Sequence, residues 1–415
     1  MRIRDVLMVA GLGGYYFDDF QAIKRGAKQD GFFYIGDPIT PGHSRIRQPG
    51  ECISVMLILE DGQVGIGDCV GIQYSGVVGR DPVLIAEKHI PPLEKLVSTS
   101  LIGEDIKNFK EFSQFIDSLE INGQKLYSWI RYGFSQAALD AVAKVRGITM
   151  AEVIADEYGL TISDRIIPIL PQSGDDRYIG ADKMILKKAP VLPQGLFNNI
   201  EKIGQKGEKL IAYVEWLSER IRKFGGSDYT PEIHLDVYGM IGDIFDDDIG
   251  KVTQYLARLG EAAKPFRLSV ESPILMESKE KLIPAFSRLK ESLSGNKVDV
   301  EIVADDYCNT LEDIKEFVDA DAVHMVQVKP PDLGALHNSV EAVLYCRRHG
   351  VKAFLGGTCN STDVVARVSA HVALATQADQ MYGKPGMGVD VAMQIPYNEM
   401  QRTLSLIKSK RRSQN

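Results

Sequence analysis

Three strand-like runs in the second half of the chain each end in a carboxylate, at almost equal intervals. Ile233-His234-Leu235-Asp236, Leu268-Ser269-Val270-Glu271 and Glu301-Ile302-Val303-Ala304-Asp305 place their acids 35 and 34 positions apart. That interval is one strand, one helix and the loops joining them. Strand candidates at 166–170, 233–237, 268–271, 300–305, 322–329 and 352–355 are mostly separated by helical spacings at 247–259, 279–293, 311–318 and 339–349. Strand–helix alternation demands a parallel sheet. Over ~250 residues its natural closure is a (β/α) barrel of the TIM type, with the active site at the C-terminal strand ends. A doubly wound open sheet is the competing architecture, and its dinucleotide form needs a glycine-rich turn after the first strand. Gly11-Leu12-Gly13-Gly14 lacks the last glycine of that spacing, lies in the other half of the chain and reads as a loop.

The first 160 residues follow another pattern. Residues 52–59 are β-branched and apolar, Asp61-Gly62 is a hairpin turn signal, and 64–70 return as a second strand. After Asp81-Pro82 come helical spacings over 84–96, 106–119 and 127–145. Strands followed by helices indicate a small α+β unit. We therefore expect an α+β capping domain over 1–160 and a modified (β/α) barrel over 161–415. A chain of 415 residues exceeds what one hydrophobic core accommodates, which suits that division. Residues 408–415 form a short basic tail expected to fray.

Composition narrows the partners. A net charge of −8 argues against nucleic acid, which calls for a basic face. It leaves room for a small anionic substrate, because a few local cations outweigh a diffuse negative surface. No apolar run approaches the ~20 residues of a membrane span, and the start of the chain shows no leader pattern. Cys52, Cys69, Cys308, Cys346 and Cys359 are odd in number and without metal-ligand spacing. They read as reduced thiols of a cytoplasmic protein.

In a barrel, Asp236, Glu271 and Asp305 would stand side by side at the catalytic rim. Three adjacent carboxylates repel one another and need a cation, and hard oxygen donors suit Mg²⁺. Acids placed at strand ends by chance explain one such residue better than three. The next strand, 322–329, carries Gln327 and Lys329 on one face, with His324 and Val328 on the other. Beside a dication, Lys329 would be shifted toward a useful base; away from one it would simply reach solvent. Asp306 points away from Asp305 and either supports the site from behind or is solvated. Gly356-Gly357-Thr358-Cys359-Asn360 leads into a helix and could present backbone N–H groups to a carboxylate. A plain turn with Asn360 or Ser361 as helix cap is the alternative. His234 shares a face with Asp236 and should pack below it.

Taken with Gly71-Ile72-Gln73-Tyr74-Ser75-Gly76, Gln172-Ser173-Gly174-Asp175-Asp176, His234-Leu235-Asp236-Val237-Tyr238-Gly239 and Lys384-Pro385-Gly386-Met387-Gly388, these motifs resemble the enolase superfamily. More narrowly they resemble the methylaspartate ammonia-lyase family, across both halves of the chain. The resemblance implies Mg²⁺-dependent, reversible removal of ammonia from threo-3-methylaspartate to give mesaconate, a step of glutamate degradation. It implies a homodimer activated by Mg²⁺ and K⁺. Carried over, Asp236, Glu271 and Asp305 would bind the metal, and Lys329 would abstract the C3 proton with formation of a metal-stabilised enediolate. Gln73, Gln172, Gln194 and Gln327, with Thr358 and the Cys359 amide, would position the amino dicarboxylate substrate.

Two positions depart from that pattern. Gln194 stands where a histidine facing Lys329 is expected, and glutamine exchanges no proton near neutral pH. Tyr382 is bulkier than the aliphatic residue expected on the pocket wall. Racemisation or cycloisomerisation by the same metal and lysine is the alternative enzyme reading, and it calls for a second base opposite Lys329. A Schiff-base aldolase using Lys329 and a non-catalytic barrel are more distant readings.

Overall fold

In the computed structural model, which describes residues 1–414, the β-branched run 52–59 lies within strand β2 (Arg47–Leu59). It turns at Asp61-Gly62, where Gly62 takes φ +87, and pairs antiparallel with β3 (Val64–Val70). Along β2, Ile53, Val55, Leu57 and Leu59 are buried while Ser54, Met56 and Ile58 between them are only partly so, as one covered sheet face requires. The covering layer is α1 (Ser128–Arg146), packed on β3, with helices Ala86–Ser100 and Phe109–Ser118 beside it. All three helices fall where the apolar spacing predicts them.

The glycine run is not a loop. It lies inside β1 (Ile3–Asp18), which pairs antiparallel with β2 and shifts register between Leu12 and Tyr16. Glycine is required there by close approach, not by turn geometry. Gly14 N–H donates to Asn360 O (3.0 Å), and a Cβ on Gly14 would collide with the carbonyl oxygens of Ser361 and Cys359.

The remaining strands form one parallel sheet of eight. In chain order they are β4 (Ile169–Leu170), β5 (Val191–Gln194), β6 (Glu232–Asp236), β7 (Leu268–Glu271), β8 (Glu301–Ala304), β9 (Met325–Val328), β10 (Lys352–Leu355) and β11 (Gln380–Tyr382). Their spatial order is β4-β11-β10-β9-β8-β7-β6-β5. The sheet curls until its two edges meet, where Ser173 N–H donates to Pro193 O (3.4 Å). This is a modified (β/α) barrel capped by the N-terminal α+β layer. Strands β5 and β11 escape the sequence pattern because they are short, wholly buried and show no alternation; β5 also contains Pro193.

A helix α2 (Asp363–Thr376) follows β10, and its N-cap is Thr362, not Asn360 or Ser361. The last helix, α3 (Val389–Gln414), runs through most of the basic tail expected to fray; Asn415 lies outside the described residues. Glu399 of α3 accepts from His371 of α2 (3.1 Å), from Arg367 (2.9 Å) and from Arg402 (2.7 Å), which docks this helix on the barrel. All five cysteines are free and buried. Among the described residues no helix is long and apolar enough to cross a membrane.

Overpacking a rigid backbone contact costs about 1–3 kcal/mol. Gly14→Ala should therefore lower the melting temperature by several degrees and displace the 359–361 backbone. Gly295→Ala, in a helix where an added Cβ meets nothing within 4 Å, should be neutral or slightly stabilising. Equal melting temperatures for the two variants would refute the close-approach reading.

Candidate active site

Side chains alternate along β6, so Glu232, His234 and Asp236 all point into the barrel, with Asp236 uppermost. In the parallel register Asp236 lies beside Glu271 and Glu271 beside Val303, two residues before Asp305. One carboxylate oxygen from each of Asp236, Glu271 and Asp305 falls within 4.8 Å of the others, and all three residues are buried. Burial and the charges of their neighbours push the Asp236 and Glu271 carboxyls well above the usual range. The three acids predicted from spacing thus form one cluster.

Lys329 follows β9 and its Nζ donates to Asp305 Oδ2 (2.6 Å). Burial opposes its charge, but Asp305, followed by Asp332 and Glu271, outweighs that and holds the ammonium above the ordinary lysine value. Among its protein neighbours alone, Lys329 is therefore an ion-pair partner and not yet a base. Gln327, on the same strand face, donates through Nε2 to Glu271 Oε1.

The amide side chains line the same cavity and hold one another. Gly174 N–H donates to Gln172 Oε1 (3.0 Å), Gln172 Nε2 to Gln194 Oε1 (3.2 Å), and Gln194 Nε2 to Glu271 Oε2 (3.4 Å). From the capping layer, Gln73 Nε2 donates to Asp18 Oδ2 (2.8 Å), and the Cys359 thiol donates to Gln73 Oε1 (3.0 Å). Gln73 N–H donates to Thr358 Oγ1 (3.2 Å). Tyr382 stands on the cavity wall, as expected, with Phe20, Tyr74 and Tyr238. Every predicted site residue reaches this one cavity; Glu271 does so through its contacts with Gln194 and Gln327.

Several neighbours were not foreseen. Arg80, from the capping layer, is almost fully covered, donates to Asp332 (3.1 Å), and lies 3.5 Å from Asp306 and 3.9 Å from Asp305. No periodicity marks it, because it acts across a long sequence gap. Of the two places expected for Asp306, it takes the supporting one and is not solvated: it accepts from Ser272 Oγ (3.1 Å) and faces Arg80. His234 does more than pack, since its Nε2 lies 2.9 Å from Glu271 Oε2. Burial brings its pKa down to about 4.

The donor set is oxygen only, buried and mutually repulsive, with no cysteine or histidine among the three clustered groups. That composition fits a hard divalent cation such as Mg²⁺, whose incomplete protein shell leaves positions for water or substrate. The opposite wall offers neutral amides and a hydroxyl, suited to orienting a carboxylate without adding charge. A lysine amine stands between the two.

Comparison with known proteins agrees with this arrangement. The pattern described as Methylaspartate ammonia-lyase N-terminus matches residues 1–159, and Methylaspartate ammonia-lyase C-terminus matches 161–409. Methylaspartate ammonia-lyase 2 of Carboxydothermus hydrogenoformans is 52% identical over 410 residues, covering 98% of this chain and 99% of the relative. The Mg complex of β-methylaspartase from Clostridium tetanomorphum superposes with a TM-score of 0.93 at 51% identity, covering 99% and 100% of the two chains. The Citrobacter amalonaticus enzyme containing (2S,3S)-3-methylaspartic acid superposes with a TM-score of 0.96 at 48% identity, covering 98% and 100%. Matched in both halves and over nearly its whole length, this chain belongs to the methylaspartate ammonia-lyase family of enzymes.

Proposed function

We propose that the protein catalyses reversible elimination of ammonia from threo-3-methylaspartate to give mesaconate. The observation that carries this reading is the cluster of three buried carboxylates with Lys329 beside it, facing a wall of uncharged donors. Asp236, Glu271 and Asp305 would hold Mg²⁺, which supplies positive charge to the substrate carboxylate on which charge develops as the neighbouring proton leaves.

The chain's own groups do the rest. Lys329, as the free amine, takes the C3 proton on Nζ; the C–H electron pair moves first onto the carboxylate attached to C3, then returns to form the C2–C3 double bond as the C2–N bond breaks and ammonia departs with its electron pair. Gln327, held by Glu271, and the Gln172–Gln194 pair present fixed amides to the amino dicarboxylate. Gln73, Thr358 and the Cys359 amide hold the carboxylate remote from the metal. Preorganised neutral donors suit this role, because they need no rearrangement and do not compete with the cation. The aromatic wall of Phe20, Tyr74, Tyr238 and Tyr382 limits water and substituent size.

Further expectations belong to the same reading. K⁺ is the activating monovalent ion, the protein is cytoplasmic, and the reaction serves glutamate degradation through mesaconate. A homodimer is supported by exposed apolar residues, Ile179 and Leu186 on one helix and Val391 and Tyr397 on the neighbouring α3. A division into a capping domain over 1–160 and a barrel domain over 161–415 is supported by the change from the three-stranded sheet to the eight-stranded one.

Mesaconate formation from threo-3-methylaspartate, followed by ultraviolet absorbance, should require Mg²⁺ and fall to background with excess chelator. Lys329→Ala should reduce kcat by about 10²–10⁴-fold with the fold retained. Full activity of the folded variant would remove Lys329 from the base role.

Gln194 lies across the acid cluster from Lys329 and offers no titratable group. Proton loss should therefore occur on the Lys329 face only, and the erythro diastereomer should be turned over very slowly. Gln194→His should raise the erythro rate relative to the threo rate. Rapid erythro turnover by the natural enzyme, persisting in Lys329→Ala, would defeat this prediction.

A further inference from the structure

The barrel floor carries a polar chain that ends on an acid of the site. Glu232, His234 and Asp236 share the inward face of β6, from its first residue to its last. Glu232 sits at the mouth opposite the active site, where three donors converge on its carboxylate: Ser269 Oγ (2.8 Å), Gln380 Nε2 (2.8 Å) and the exposed Arg267 guanidinium (3.2 Å). Gln380, the first residue of β11, thereby has its amide orientation chosen. Its N–H faces Glu232, so its Oε1 faces His234 Nδ1 at 3.2 Å. A carbonyl oxygen is an acceptor only, so Nδ1 must donate. His234 Nε2 in turn lies 2.9 Å from Glu271 Oε2, which completes the chain of contacts. His234, Gln380 and Glu271 are all buried.

We propose that Glu232, Gln380 and His234 are positioning residues that fix the orientation of Glu271, and through it the affinity of the site for its divalent cation. The inference rests on the reading of Glu271 as a metal ligand and goes beyond it, because the control originates at the far mouth of the barrel. Glu271 is held at Oε1 by Gln327 and at Oε2 by Gln194, and His234 adds the contact from below that fixes the height and tilt of its carboxylate. Groups that orient a ligand in this way typically alter metal affinity by about 10–100-fold when removed.

The test is Mg²⁺ titration calorimetry on the full-length enzyme without substrate, together with the Mg²⁺ concentration giving half-maximal activity. Gln380→Leu and His234→Gln should each weaken Mg²⁺ binding about tenfold or more. In both, kcat at saturating Mg²⁺ should stay within about threefold of the natural enzyme. Glu232→Gln, at the solvent end of the chain, should weaken binding by a smaller factor of about three and keeps the test open if a core variant fails to fold. Phe354→Leu is the packing control, because its ring stacks edge-on against His234 with centroids 5.3 Å apart. It should lower the melting temperature and leave Mg²⁺ affinity within about twofold. Glu271→Gln separates the two levels of the argument. If it abolishes binding while folded Gln380→Leu and Glu232→Gln bind as the natural enzyme does, the relay is wrong and the ligand assignment stands. If Glu271→Gln itself binds Mg²⁺ normally, the ligand assignment falls and the relay falls with it.

Discussion

Three buried carboxylates held against one another are the constraint around which this molecule is organised. Left alone, the cluster would disfavour the folded state, since burial and neighbouring negative charge both oppose ionisation of Asp236 and Glu271. The protein answers with donors on every side. Gln194 and Gln327 reach Glu271, His234 touches it from below, Lys329 pairs with Asp305, and Arg80 brings a buried positive charge toward Asp305 and Asp306. The strands keep the acids together because the parallel register sets Asp236 beside Glu271 and Glu271 beside Val303, two residues before Asp305. The cluster is therefore a property of the barrel, not of any one loop.

The capping layer contributes more than a cover. Gln73 and Arg80 both descend from it, one onto Thr358 and Cys359, the other onto the acids. Gln73 is itself aimed by Asp18, whose carboxylate is gripped by the Arg47 guanidinium through Nε (2.8 Å) and Nη2 (2.7 Å). Arg47 in turn stacks on Phe32 and Tyr34, 4.3 and 4.8 Å from the ring centroids. A side chain that meets the substrate-binding cavity is thus supported by an aromatic cluster near the surface of the cap.

Much of this was legible in the sequence, for identifiable reasons. The acids were found because a barrel repeats its strand–helix unit, and the repeat is visible in spacing alone. Lys329 and Gln327 were found because side chains alternate along a strand. The family motifs supplied Gln73, Gln172, Gln194, Thr358 and Cys359, which spacing alone would not have singled out. What escaped was governed by contacts between distant segments. Arg80 carries no pattern of its own, β5 and β11 are too short to have a period, and the glycines of β1 look like a turn until the backbone they approach is known. The helix cap shifted to Thr362 because Asn360 is spent elsewhere: its Nδ2 donates to Tyr16 O (3.2 Å), fastening the loop to β1. Lys329 shows the limit of reading charge from residue type, because its state depends on whether Asp305 is engaged by another cation.

The contact between Gly14 and residues 359–361 has a consequence for how the protein is made. A segment synthesised among the first residues completes its hydrogen bonding only against one synthesised near the last. While the ribosome is still adding β10 and α2, Asp236, Glu271 and Asp305 already exist, but the wall of Thr358 and Cys359 does not, and the Gly14 N–H lacks its acceptor. The pocket can close only once residues 359–361 have been added, and a chain terminated before them would retain the carboxylates of the centre without the enclosure that lets them act.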